Sequence, residues 1–522
     1  MIADMASLSR RRFLGGAGVL GGLALGCVPR PASGQSRPRF SDHPFKLGVA
    51  SGDPAPDGVV LWTRLAPDPL AGGGMSGNPV TVTWEVAEDD KMQRVVRSGR
   101  AAATRERAHS VHVEVTGLEP ARWYWYRFGA GAETSPVGRT RTAPARGDLP
   151  ERLRFAFTCC QHWEFGFYAG YHHMLADDLD LVVHLGDYIY ETSSRTPPVR
   201  RHDSPEAKDL EGYRLRHALY KTDPDLRAAH AAYPWIVTWD DHEVSNDYAD
   251  DRSQYRNDPA VFLRRRAAAY QAYYEHMPLR PASVPAGPAL RLYRDLGWGQ
   301  LADFFVLDNR QHRAVQPCGE GRPGGGQLVE GCAARFDAAQ TMLGAAQERW
   351  LFDGLTRARA RWTVLAQQQL MAELRQRGPF GGEAHWTDGW DGYAGARRRL
   401  LAHLRDQRVP NPVTLGGDIH SFWVTDLQVD PVPSAPAVAT EFVSTSLTSP
   451  GIPYELMART LPDNPHVRFF ESRARGYVRC TVSPDRWRAE LRALEHVTDA
   501  RAPIGTLATY VVESGRPGAQ RA

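Results

Sequence analysis

Four clusters of side chains able to hold metal ions, each directly after a short apolar run, narrow the folds open to this chain. They are Phe157-Thr158-Cys159-Cys160-Gln161, His184-Leu185-Gly186-Asp187-Tyr188-Ile189-Tyr190-Glu191, Trp239-Asp240-Asp241-His242-Glu243 and Gly416-Gly417-Asp418-Ile419-His420. The preceding runs, Leu153 to Phe157, Leu179 to Val183, Trp235 to Trp239 and Val413 to Leu415, read as buried strands. In an open α/β sheet the carboxyl ends of the strands face one crevice, so four such ends can deliver their side chains to one place. A Gly-Asp pair after a strand is ordinary turn chemistry, and a single Asp-His pair is ordinary capping. Four clusters in chain order, each at a strand end, point instead to a metal site. Thiolate, phenol, imidazole and carboxylate together suit more than one kind of ion.

At 522 residues the chain exceeds one ordinary core and should divide into at least two domains. Its 63 basic and 60 acidic residues nearly cancel, so no nucleic-acid-binding surface is evident. Ser9-Arg10-Arg11-Arg12-Phe13-Leu14, followed by a Gly-rich apolar stretch to Val28, reads as a twin-arginine signal occupying residues 1–34. The stretch is too short and Gly-rich for a membrane span. The expected partner is the twin-arginine export machinery and the expected product periplasmic or secreted. A soluble product is favoured over lipidation at Cys27, because Ala24 stands where a lipobox needs a large apolar residue. Cys318 and Cys332 bracket a Gly-rich loop and would be bridged in an oxidising compartment.

From about Phe45 to Thr142 short alternating runs predict strands at Val59–Leu65, Val80–Val86, Val111–Val115 and Trp123–Phe128. The Leu118-Glu119-Pro120 turn before a Tyr-rich strand resembles a fibronectin type III-like sandwich, set here at residues 40–145. Ala143 to Asp148 reads as a linker. The catalytic domain is set at residues 150–512, where the pattern is α/β. Helices are expected at Tyr168–Ala176, Pro205–Leu219, Val261–His276, Ala338–Leu355 and Gly395–Arg405. The β-rich region from Ala439 to Val512 should complete a second sheet.

Asp187 is the natural bridging carboxylate between two cations. Cys160 calls for a softer or transition metal and Tyr190 fits a ferric ion. Asp241 and Asp418 suit a harder ion such as calcium, and His420 shares the orientation of Asp418. A metal-bound hydroxide then becomes the nucleophile, with no phospho-enzyme required. His242 is positioned to contact a phosphoryl oxygen or protonate the leaving alkoxide; its plain alternative is a histidine satisfied by Asp240 or Glu243. For Arg310 a salt bridge to Asp308 or Asp303 is preferred over a fork onto phosphate. At most one or two of Arg264, Arg265 and Arg266 can face a substrate.

Further motifs join these: Ser51-Gly52-Asp53-Pro54, Val60 to Arg64, Ala272 to Pro278 and Asp388 to Tyr393. Over essentially the whole length from Phe45 to Val512 the chain resembles the PhoD-type alkaline phosphatases of the metallophosphatase (calcineurin-like) superfamily. The resemblance implies a four-layer αββα metallophosphatase domain, an α/β (α+β) fold, behind the fibronectin-like sandwich. It also implies hydrolysis of phosphomonoesters and phosphodiesters with Fe3+ and Ca2+ as cofactors. Cys160, Asp187, Tyr190, Asp241, Asp418 and His420 match the motifs that supply the metal centre, with His242 and Asp187 as catalytic residues. The Cys159-Cys160 doublet departs from the pattern, where a small residue usually stands first; Cys160, next to Gln161, is the aligned one. Two alternatives stay open: a phospholipase D-like phosphodiesterase acting on lipid head groups, which needs an apolar groove, and a calcium-stabilised binding protein with structural carboxylates.

Overall fold

Strand follows helix from residue 153 onward, as the sequence predicts, in the computed structural model of the chain. It describes residues 38–522 apart from 195, 197, 320–324 and 433–434. The stretch read as a twin-arginine signal and Cys27 lie outside the described residues, as does part of the Gly-rich loop.

Two sheets carry the molecule. The first has ten strands, and at its heart Leu153–Thr158, Leu181–His184, Pro234–Val237 and Val49–Ala55 run parallel to one another. The second has seven, with a parallel set of Ala302–Val306, Trp362–Ala366, Pro412–Gly416 and Ala439–Val443. Such strands, buried on both faces, need the near-continuous apolar runs seen in the sequence. One core lies between the sheets, where Trp487 is wedged against Phe155, Trp362 and Phe442 at ring-centroid distances of 5.6, 5.7 and 6.5 Å. A second joins the outer face of the ten-stranded sheet to helices including Leu210–Tyr220, Pro224–Ala232 and Pro259–His276. A third joins the seven-stranded sheet to Gly344–Arg357 and Ala394–Asp406.

The β-rich tail does not all go where expected. Ala439–Val443 and Val467–Glu471 do join the seven-stranded sheet. Arg475–Val482, Arg486–Leu494, Ile504–Glu513 and Arg516–Arg521 return to the ten-stranded sheet, beginning antiparallel beside Leu153–Thr158. Alternation marks a strand but not its neighbour; Cys480, Val482 and Leu491 bury equally well from that side of the shared core.

The amino-terminal region is a sandwich with one leaf shared. Val95–Ala103, Val80–Ala87, Trp123–Ala130 and their short partners form a separate sheet. The facing strands Val49–Ala55, Gly58–Arg64 and Ser110–Val115 are the edge of the ten-stranded sheet, joined by parallel pairing of Ser51 with Pro234 and Gly52 with Trp235. The expected linker is likewise built in: Ala143 is fully buried, its N–H donates to Ala55 O (3.1 Å), and Gln300 N–H donates to Asp148 O (2.7 Å). Residues 38–522 form a single unit. Cys318 and Cys332 are bridged, with Cα atoms 6.0 Å apart.

Candidate metal centre

After four of the parallel strands the chain turns sharply, with left-handed backbone at Cys160, Asp187, Asp418 and His420. Leu153–Thr158 leads into Cys160, Leu181–His184 into Asp187, Pro234–Val237 into Asp240 and Asp241, and Pro412–Gly416 into Asp418 and His420. Glu243 ties two of these turns together. Its carboxylate accepts the backbone N–H groups of Asp187 (3.1 Å), Tyr188 (2.6 Å) and Asp240 (2.9 Å).

Donor atoms of Cys160, Asp187 and His420 lie within 4.8 Å of one another, as do those of Asp187, Asp241 and His242, and of Asp240, Asp241 and Asp418. Asp187 belongs to the first two groups, and Asp241 links the second to the third. The Tyr190 hydroxyl donates to Asp187 (2.9 Å), lies 3.2 Å from His420 Nε2 and accepts from Ser449 (2.8 Å). His420 Nδ1 donates to the Pro450 carbonyl at 2.8 Å, which leaves Nε2 unprotonated on the cluster side. The His242 Nδ1–H donates to Glu191 at 2.7 Å, and its ring lies 4.2 Å from that of Tyr190. Arg310, fully buried, bonds Asp240, reaches Asp388 at 2.7 Å and Asp418 at 3.4 Å, and lies 3.7 Å from Asp241.

Burial pushes the Asp187 carboxyl well above the usual carboxylate range, with Asp241 and Asp240 adding to the shift. Burial likewise raises the Cys160 thiol, helped by Cys159 and Asp187, and the Tyr190 phenol, helped by Asp187 and Cys160. For His242 burial opposes the charge, but Glu191, Asp241 and Asp187 overcome it and hold the imidazole well above its usual range. Arg313 also holds Asp388 (2.6 Å), which leaves Arg310 facing Asp240, Asp241 and Asp418, more carboxylates than one guanidinium can neutralise. Asp240 Oδ2 and Asp241 Oδ1 are buried without a hydrogen-bond partner. Orphaned carboxylate oxygens beside a thiol, a phenol and an imidazole fit bound cations: a transition ion at the mixed group and a hard ion at the all-carboxylate group. A further group, Glu373, His385 and Asp391, is already held by arginine: Arg397 reaches both acids (2.9 and 2.6 Å) and Arg375 the first (2.7 Å).

The PhoD-like phosphatase family matches residues 155–491, and its amino-terminal domain matches residues 30–144. The chain belongs to the PhoD-like phosphatase family. A Bacillus subtilis (strain 168) protein named alkaline phosphatase D is 46% identical over 531 residues, covering 99% of this chain and 89% of that one. A solved structure titled "Structure of PhoD" is also 46% identical, covers 93% of each chain and superposes with a TM-score of 0.88. As a PhoD-like phosphatase the chain is a phosphoric ester hydrolase with a mixed α/β fold of several sheets.

In this phosphatase all the residues singled out from the sequence, Cys160, Asp187, Tyr190, Asp241, His242, Asp418 and His420, come together. Cys160 is the member of the doublet that faces Asp187. The Cys159 sulfur points to the carbonyls of Ser444 and Thr445 (3.9 and 3.8 Å). The Arg310 reading is corrected: its side chain pairs with Asp240, Asp388 and Asp418 rather than Asp308 or Asp303, because Asp308 is taken up by Trp239 Nε1 (3.0 Å) and backbone N–H groups. His242 is satisfied by Glu191, not by Asp240 or Glu243. Arg265 bonds Tyr213 and Arg266 bonds Asp250, and neither lines the crevice over the centre. Sequence reasoning missed Asp240, Asp388 and Glu191 as parts of the site. The pairing of Asp240 with a catalytic-looking Asp241-His242 was a usable signal. Asp388 opens the motif Asp388 to Tyr393, but nothing local shows that it reaches Arg310 across 78 positions.

Proposed function

We propose that this chain is an exported, metal-dependent phosphatase that hydrolyses phosphomonoesters and phosphodiesters. The observation that carries the reading is Asp187, shared between a thiol-containing donor group and a carboxylate–imidazole group. Cys160, Tyr190, Asp187 and His420 would hold a ferric ion, and Asp187, Asp241 and Asp418 calcium. When bound, these ions supply Lewis acidity and lower the pKa of water at the site. The protein's own part follows from geometry. Glu191 fixes the His242 ring over Tyr190, where its other nitrogen can reach a phosphoryl or leaving-group oxygen, and His242 serves as proton donor. Arg310 anchors Asp240, Asp388 and Asp418 from beneath, so the carboxylates converge without collapsing together. The order helices, sheet, sheet, helices supports the four-layer αββα reading, and the facing leaves of residues 45–142 the fibronectin-like one. Arg10 and Arg11 support twin-arginine export to the periplasm or medium.

Purified protein should release p-nitrophenol from p-nitrophenyl phosphate and from its bis-ester, and lose that activity on calcium chelation. Asp187→Asn should abolish turnover with far-UV circular dichroism unchanged; near-normal turnover would refute the reading. Cys160→Ser should lose iron by elemental analysis together with any thiolate or phenolate charge-transfer colour. A variant that keeps both would remove Cys160 from the centre.

A further inference from the structure

The crevice above the centre has two unlike kinds of lining. It encloses about 390 Å³, with Asp187, Asp241, His242, Asp418 and His420 among the residues that line it. The lining also carries large apolar side chains: Leu374, Ile419, Ile452 and Met457 together, with Leu456 and Trp386. Among the described residues that line the crevice there is no lysine or arginine, and Asp247 adds an acidic group, whereas Asp388 and Asp391 are paired with Arg313 and Arg397 from behind (2.6 Å each). The apolar lining is built from separate elements. Ile419 lies between Asp418 and His420, Leu456 and Met457 sit on Tyr454–Ala458, and Trp386 ends the strand Glu383–Trp386. Leu374, Ile419, Ile452 and Met457 belong to one apolar cluster that backs the wall. Leu456 and Trp386 are 62% and 44% exposed, so apolar surface at the crevice stays open to solvent.

A substrate whose phosphorus rests on the Asp187 cluster has its ester substituent directed along the same crevice. We infer that this wall is the substituent subsite, and that it selects phosphate esters whose organic group is uncharged and apolar. The inference rests on the phosphatase reading above and deepens it. A second anionic group away from His242 would meet Asp247 and find no lysine or arginine among the described lining residues. An alkyl or aryl group instead removes apolar surface of its own, and of Leu456 and Trp386, from water.

The experiment is a series of straight-chain alkyl monophosphates, methyl to hexyl, with 3-carboxypropyl phosphate as the anionic member, followed by release of inorganic phosphate from the metal-loaded full chain. Chain length scarcely alters the leaving-group pKa beyond methyl, so kcat/KM reports binding. It should rise about threefold per added methylene over the first few carbons, and 3-carboxypropyl phosphate should fall well below butyl phosphate. Leu456→Gln, at an exposed position where folding is not at stake, and Ile452→Asn should each flatten the series. A flat series in the native chain, a carboxypropyl ester as good as the butyl one, or a slope unaltered in both variants would overturn the inference while leaving the phosphatase reading intact. Hydrolysis of no ester at all would remove that reading, and the inference with it.

Discussion

Cys160, Asp187, Asp418 and His420 all hold left-handed backbone, with φ of 55, 54, 64 and 52°. Each costs on the order of 1 kcal/mol in a residue with a Cβ, which is the strain of turning a donor into the crevice immediately after a strand. Gly186 has no such choice: at φ 111° an added Cβ would stand 2.5 Å from the Asp240 backbone nitrogen. Away from the centre, Lys221 is buried near the Trp62 ring (4.6 Å from its centroid) and 3.4 Å from His230. Burial lowers its pKa from 10.5 to about 7. Between those values the unfolded chain binds the extra proton, so this group makes stability rise with pH through that window and is silent above it. Lys221→Met should therefore stabilise the protein at pH 7 by up to about a few kcal/mol and by much less near pH 10.5. Urea unfolding at both pH values checks it; an equal gain at the two would contradict the assignment.

Elements are placed by burial more than by propensity. The helix Pro224–Ala232 was not expected, although Asp223-Pro224 is a readable start: Asp223 accepts from Asp225 and Leu226 N–H at 3.0 and 3.1 Å, and Pro224 opens the first turn. Its length and mixed polarity hid it. The helix expected at Val261–His276 starts two residues earlier, at Pro259, because Asp258 caps it, and its buried face, Phe262, Arg266, Ala269, Tyr270 and Tyr273, follows helical spacing. Tyr270 then stacks on Trp239 with centroids 4.0 Å apart, bracing the turn that presents Asp240 and Asp241. Between the sheets Trp487 has the corresponding role for Leu153–Thr158. Trp487→Ala should cost about 3–5 kcal/mol in denaturant unfolding, and a loss below about 1 kcal/mol would show that the inter-sheet core closes without it.

At the scale of the whole molecule, the amino-terminal region is tied to the rest by more than sheet continuity. Trp62 Nε1 donates to Glu275 O (3.0 Å), and Arg294 reaches Asp53 at 2.6 Å, largely out of solvent. A leaf that is at once half of a sandwich and the edge of the catalytic sheet cannot open alone without exposing two cores. Residues 38–522 should therefore unfold in one calorimetric transition, with no separate melting of residues 40–145. Two resolved transitions would show the boundary at residue 145 to be a true domain boundary.

Local chemistry was legible in the chain itself. Apolar runs long enough only for buried strands, each closed by donor side chains, marked the strand ends, and the residues at those ends, Cys160, Asp187, Asp241, Asp418 and His420, are the ones that converge. Partners distant in sequence were not legible. Arg310 finding Asp388, Glu191 fixing His242, Arg475–Val482 returning beside Leu153–Thr158, and Leu456 facing the centre all depend on which surfaces exclude water together. Periodicity records that a side chain is buried, whereas only the closed packing of two sheets decides against what.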